Sequence, residues 1–245
     1  MSEQRRIIQT FSELAPRYRE VVDLELKAFW GWSYAGFVQH FLGATPIRNG
    51  DIVLDIATGT GEIPAHIINM PGVESRIHGL DITLPMLRRA TQRFNGGNGS
   101  SVVGWTCASA MDMPYSGGYF TLALCCLATH HMEVPRLLGE MERVLAEGGR
   151  ISIADAGGSA LWRFPGVKWV IKLAAFLYFL AKENWDRAWA EAGAVSHVYS
   201  CEEWNQALLV AGFEDISVIK MKSKFFWVPS PLVLSATKKF NGGNR

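Results

Sequence analysis

The chain has 245 residues, 24 basic against 23 acidic, and 49% of them are hydrophobic. That is enough apolar material for one sizeable core and excludes a disordered chain. The formal net charge of +1 excludes the basic excess of a dedicated nucleic-acid binder.

The leading residues, MSEQRRIIQTFSEL, are polar and amphipathic and lack the apolar centre of a signal peptide, which predicts a cytoplasmic protein. Cys107, Cys125, Cys126 and Cys201 form no CxxC pair, so neither a disulfide scaffold nor a common structural zinc site is expected. No stretch reaches the length and purity of a membrane-spanning helix.

In chain order, residues 1–46 read as a helical cover. Leu14, Tyr18, Val21, Val22 and Leu26 recur at helical spacing. Gly31, among Phe29, Trp30, Trp32 and Tyr34, breaks it before a second helix. Those aromatics suit either a substrate chamber or plain core. Residues 47–156 then alternate strands (52–56, 76–81, 102–107, 119–127, 150–154) with helices (62–69, 85–94, 134–145). Residues 95–99 read as a flexible loop, and Gly148-Gly149 as a helix stop. Residues 157–200 are a helical insert rich in aromatics. Residues 201–240 close the pattern with a helix at 202–211 and strands at 213–220 and 232–237, before an unstructured tail at 241–245. This predicts a single α/β domain: a doubly wound, mostly parallel, seven-stranded, Rossmann-like sheet with N-terminal helices and a helical lid insert.

The sharpest motif is Asp55-Ile56-Ala57-Thr58-Gly59-Thr60-Gly61, between an apolar strand and a helix. Glycine lets a backbone approach a ligand closely, and the carboxyl ends of such strands are where open α/β sheets bind ligands. The second strand also ends in an acid, Asp81. A carboxylate there can accept hydrogen bonds from both hydroxyls of a ribose. Only two glycines stand at GxG spacing, and Glu62 opens the helix where it would repel a phosphate. A cationic nucleoside without phosphates fits better than a dinucleotide. Simple helix capping by the two acids is the plain alternative.

VLDIATGTG, GLDITLPMLRRA, ASAMDMPYSGGYFTLALC and EMERVLAEGGRISIAD, in this order and spacing, resemble the successive motifs of class I S-adenosylmethionine-dependent methyltransferases. The resemblance is to the type that methylates ubiquinone and menaquinone precursors, or to the related small-molecule enzymes. The resemblance runs over roughly residues 10–155. It implies S-adenosyl-L-methionine as cofactor, with Asp55, Ala57, Thr58, Gly59 and Gly61 around its methionine end. It places Asp81 at the ribose, Ile82 and Met86 against the adenine, Ser109, Ala110 and Met111 at the adenine ring, and Leu127 with Ala128 toward the sulfonium. The family commonly has Asp where this chain has Ser109, which leaves Asp112 as a nearby substitute.

Methyl transfer is an in-line displacement in which the protein positions the acceptor and excludes water. A base is needed only if the acceptor must first lose a proton. His130 and His131 follow the fourth strand, and either could be that base, His131 foremost; a purely structural role is the alternative. Tyr18 either closes the site or packs in the core. No metal is expected, because adjacent histidines in an extended loop point apart and no further ligands stand at metal spacing.

Residues 161–181, LWRFPGVKWVIKLAAFLYFLA, are apolar nearly all round, interrupted by Arg163, Lys168 and Lys172. Three readings compete: a buried lid over the site, an interfacial helix in peripheral membrane contact, or a homodimer contact. As a lid, Trp162, Phe164, Trp169, Phe176, Tyr178 and Phe179 would line the chamber, and Trp185 and Trp189 would extend it. The acceptor is then a bulky hydrophobic small molecule: a quinone precursor, isoprenoid, polyketide or lipid.

Overall fold

A computed structural model describes residues 3–94, 103–159, 162, 164–225 and 228–240. The expected loop at 95–99, the strand start at 102, Arg163 and the tail at 241–245 lie outside the described residues.

The first helices are α1 (Glu3–Leu14), α2 (Tyr18–Phe29) and α3 (Tyr34–Ala44). Strand β1 (Ile52–Ile56) leads to α4 (Glu62–Ile68), β2 (Arg76–Asp81), α5 (Leu84–Phe94) and β3 (Val103–Cys107). Then follow β4 (Phe120–Cys126), α6 (Val134–Val144) and β5 (Leu145–Asp155). The insert supplies α7 (Pro165–Lys182) and α8 (Trp185–Ala194), and the chain returns through α9 (Cys201–Val210), β6 (Phe213–Lys220) and β7 (Leu232–Lys238).

The seven strands stand in the order β3-β2-β1-β4-β5-β7-β6. The five strands from β3 to β5 run parallel, while β7 pairs antiparallel with both β5 and β6. The chain winds outward from β1 through β2 and β3, then returns to β1's other side with β4. That reversal opens a crevice between the carboxyl ends of β1 and β4.

Strand β4 is apolar apart from Thr121 because both its faces are covered. Phe120, Ala123 and Cys125 join the layer of α6 and α9, and Leu122 and Leu124 join that of α3 and α4. Helix α6 places Val134, Leu137, Leu138, Met141 and Val144 on one buried stripe. Ser200 and Glu203 form a capping box that starts α9.

Gly148-Gly149 does not stop the helix, which already ends at Val144. Both glycines lie within β5, where pairing with β4 jumps from Phe120–Leu145 to Phe120's second neighbour Leu122 with Arg150. The surplus residues bulge, and Gly148 takes the left-handed φ of 68° that such a bulge needs.

The N-terminal aromatics are structural. The Trp30 indole N–H donates to the Pro229 carbonyl at 2.9 Å and that of Trp32 to Lys222 at 2.7 Å. Both tie the helical cover to the segment between β6 and β7.

Helix α7 is not a buried lid. Phe179 is its one buried residue, whereas Trp169, Val170 and Leu177 are 66%, 63% and 54% exposed. It packs on α8, and α8 in turn packs on α1, so α7 forms the outermost layer. Phe176 spends its ring on Trp185 and Trp189 at 5.2 and 5.1 Å. Among the described residues, no helix is long and apolar enough to cross a membrane.

Candidate active site

A cavity of about 450 Å³ opens at the crevice, a size usual for small-molecule sites. Its walls come from the segments after four parallel strands: Ala57 and Gly59 after β1, Asp81, Ile82 and Thr83 at the end of β2, Ser109, Ala110, Met111 and Asp112 after β3, and Leu127 and Ala128 after β4. Met86 of α5 adds to the floor. The roof is Gln4, Ile7 and Phe11 of α1 with Tyr18, so α1 covers the cavity where the insert was expected to. None of Trp162, Phe164, Trp169, Phe176, Tyr178, Phe179, Trp185 or Trp189 lines it.

Two non-glycine residues on the wall, Ala57 at φ 55° and Leu127 at φ 57°, hold left-handed backbone, which costs on the order of 1–3 kcal/mol each. Hydrogen bonds on either side impose it. The Thr58 amide donates to the Leu80 carbonyl at 3.0 Å and the Leu127 amide to the Ala154 carbonyl at 2.7 Å.

Asp81 sits at the centre. Its Oδ2 accepts from the Gly59 amide at 2.9 Å and its Oδ1 from the Thr83 amide at 2.8 Å. Burial pushes its pKa up, and those two amides pull against the rise. Asp81 lines the cavity, and a carboxylate offers about four acceptor sites, so it can still accept from a ribose beside its bonds to Gly59 and Thr83.

Three of the expected cofactor residues stand behind the wall. Asp55 is 1% exposed, accepts the Thr58 hydroxyl at 2.5 Å, and is raised by burial to about 7. It therefore anchors the loop from beneath, and Thr58 turns inward with it. Gly61 takes φ 75°, and a Cβ there would meet Phe94, Ala90 and Trp105 at 3.1–3.2 Å. Its bareness lets α4 pack against α5 and β3.

Glu62 also differs from expectation. It is buried against Arg93 at 2.8 Å and Arg19 at 3.5 Å, off the cavity wall, so it repels nothing there. The loop is nonetheless unsuited to a pyrophosphate. The amides of Thr58, Gly59 and Gly61 are spent on Leu80, Asp81 and Thr58, which leaves no nest of free donors from them.

Ser109 and Asp112 lie together on the cavity wall after β3. The Ser109 hydroxyl accepts from the Met111 amide at 3.1 Å, and Asp112 lines the cavity beside it. Tyr18 lies over the glycine loop, 3.8 Å from where a Gly59 Cβ would be. Its ring meets Phe11 and Tyr34 edge-on, and burial pushes its hydroxyl pKa up.

The histidines divide their roles. His131 lines the cavity; His130 does not. They lie in a 3₁₀ turn, Thr129–His131, with ring centroids 4.3 Å apart, which removes the ground for expecting them to point apart. The His130 Nδ1–H donates to Asp155 Oδ1 at 2.6 Å. Burial opposes charge on His130, but Asp155 outweighs it and raises the pKa. His131 is lowered, by burial first and by the neighbouring His130 second. Its Nε2 lies 3.5 Å from Glu191 of the insert.

Ile7 and Phe11 were within reach of sequence reasoning, since they continue the apolar spacing that includes Leu14 and Tyr18. Nothing local signalled His197 or Arg136, which also border the cavity, or the approach of Glu191.

Known proteins resemble this chain in sequence over its central part and in fold over most of its length. The family described as "Methyltransferase domain" matches residues 53–149. That match covers 97 of the 245 residues. The 2-phytyl-1,4-naphtoquinone methyltransferase of Trichormus variabilis is 26% identical over 147 residues, 59% of this chain and 62% of that relative. The chain thus spans less than two thirds of that relative's length. Among solved structures, the [4+2]-cyclase SpnF superposes with a TM-score of 0.73 at 16% identity, over 98% of this chain and 97% of that one. Geranyl diphosphate C-methyltransferase from Streptomyces coelicolor A3(2), solved with S-adenosyl-L-homocysteine, gives 0.63 at 14% identity, over 82% and 78%. The matched stretch holds the glycine loop, Asp81 and the strand-end wall. At these identities the likeness is one of fold, a Rossmann-like, mostly parallel seven-stranded sheet flanked by helices.

Proposed function

We propose that the chain transfers a methyl group from S-adenosylmethionine to a lipophilic small molecule of the quinone or isoprenoid kind. The observation that carries this is Asp81: a carboxylate braced by two amides on the wall of a cavity at the sheet's switch point. The acceptor class is supported by the naphthoquinone relative and by the apolar roof of Ile7 and Phe11.

When bound, the cofactor supplies an already activated methyl group. The chain's own residues do the rest. Asp81 accepts the ribose hydroxyls, Ile82 and Met86 flank the adenine, and Ala57, Gly59 and Leu127 border the methionine end. Phe11 and Tyr18 exclude water. His131, neutral at pH 7 because its pKa is lowered, takes a proton from an acceptor that must lose one.

The test is incubation with S-adenosylmethionine and a reduced demethylnaphthoquinone in detergent, followed by mass spectrometry. Methylated product with S-adenosylhomocysteine in equal amount is expected; failure to bind the cofactor at all would end the proposal. A second reading, ring closure with the cofactor retained, is favoured by one observation: the likeness to the cyclase spans 98% of this chain, insert included. Conversion of an acceptor without S-adenosylhomocysteine release would select it.

A further inference from the structure

A second chemical cluster adjoins the acceptor side of the cavity. One ligand atom each from His130, His131 and Glu191 lies within 4.8 Å of the others. His130 gives its Nδ1 to Asp155 at 2.6 Å, which leaves Nε2 as its free nitrogen. His131 has a side chain only 7% exposed, and its buried Nε2 has Glu191 Oε1 at 3.5 Å but no well-formed hydrogen bond among the described residues. A buried nitrogen so poorly paired is costly unless something binds it.

Carboxylates flank the histidine pair on both sides: Glu191, which also bonds Arg187 at 3.1 Å, and Asp155, which lies behind His130.

We propose that His130, His131 and Glu191 bind a first-row divalent transition-metal ion of the Zn²⁺ type. Two imidazoles and one carboxylate form a donor set suited to such an ion. Asp155 takes the place of the carboxylate that commonly orients a metal-bound histidine from behind. Metal–ligand bonds of about 2.0–2.2 Å require the three donors to draw together slightly on binding. Three protein ligands leave a position open for water or an acceptor oxygen, and His131 places the ion beside the cavity. The His131 nitrogen is a ligand in the loaded protein and a proton acceptor in the metal-free one. Metal binding does not depend on methyl transfer being the activity.

The experiment is titration of chelator-treated protein with Zn²⁺ alone by calorimetry, and with Co²⁺ by visible absorption. One ion per chain and a low-coordinate Co²⁺ spectrum are expected. His131→Ala and Glu191→Gln should each weaken binding at least ~100-fold, and Asp155→Asn about 10- to 100-fold. Cooperative unfolding and an unchanged circular dichroism spectrum certify each variant, and His130→Gln substitutes for any that fails to fold. No Zn²⁺ binding to the wild-type protein overturns the proposal. So does equal binding by wild type and folded His131→Ala, which would put the ion on surface histidines.

Discussion

The Gly59 amide lies 2.9 Å from Asp81 Oδ2, so the acid that ends β2 also holds the glycine loop that follows β1. One side chain braces the loop and lines the cavity. Asp81→Ala should therefore weaken S-adenosylmethionine binding by about 1–3 kcal/mol. Asp81→Asn, which keeps one acceptor, should cost less. Calorimetric affinities check both; an unchanged value for Asp81→Ala would leave the residue only its loop-bracing task.

His131 borders the cavity and His130 faces away toward Asp155. In metal-free protein acting on an acceptor that must lose a proton, His131→Ala should slow turnover roughly 100-fold with cofactor affinity unchanged. The base works unprotonated, and its pKa is lowered from 6.5. Wild-type kcat should thus fall on the acid side only below that value. A kcat profile against pH, with the His131→Ala profile beside it, measures this.

Asp55 makes stability depend on pH. Burial raises its folded pKa from 3.8 to about 7. Between those values the folded chain holds a proton that the unfolded chain has lost. The stabilisation is full below 3.8 and disappears as pH rises toward about 7. The Asp55→Asn variant cannot titrate there. The difference in melting temperature, wild type minus variant, should fall between about pH 4 and pH 7 and level off above. A difference that is flat over this range would mean that Asp55 is ionised in the folded state.

The exposed face of α7 can be changed without touching the cavity. Trp169→Ser combined with Leu173→Ser removes two exposed apolar side chains. Such surface changes usually stay within about 0.5 kcal/mol each. We expect unchanged cofactor affinity, a melting temperature within a few degrees of wild type, and less self-association by light scattering. A large loss of stability would show that this face is packed in solution.

Much of the architecture was legible because its causes are local. The apolar run of β4 follows from burial on both faces, and Asp81 follows from an acid placed at a strand end. The same locality misled at Gly148, where a left-handed glycine marks a bulge within β5 as readily as it ends a helix. Asp55, Thr58 and Gly61 belong to the right loop, yet their direction depends on Leu80 and Trp105, which other strands supply. The nearness of Glu191 to His131 was beyond reach, since it arises only when the insert folds back over the turn after β4. Apolar composition alone marked residues 161–181 for burial, but α8 and α1 already fill the space beside the cavity.

Helix α1 supplies Gln4, Ile7 and Phe11 to the roof, and Phe11 meets His131 edge-on at 5.2 Å. One helix therefore covers both the Asp81 side of the cavity and the His131 side. Swinging it outward would uncover the two together, so spent cofactor and finished product would leave by a common doorway, and their order of departure would be set by how tightly each is gripped.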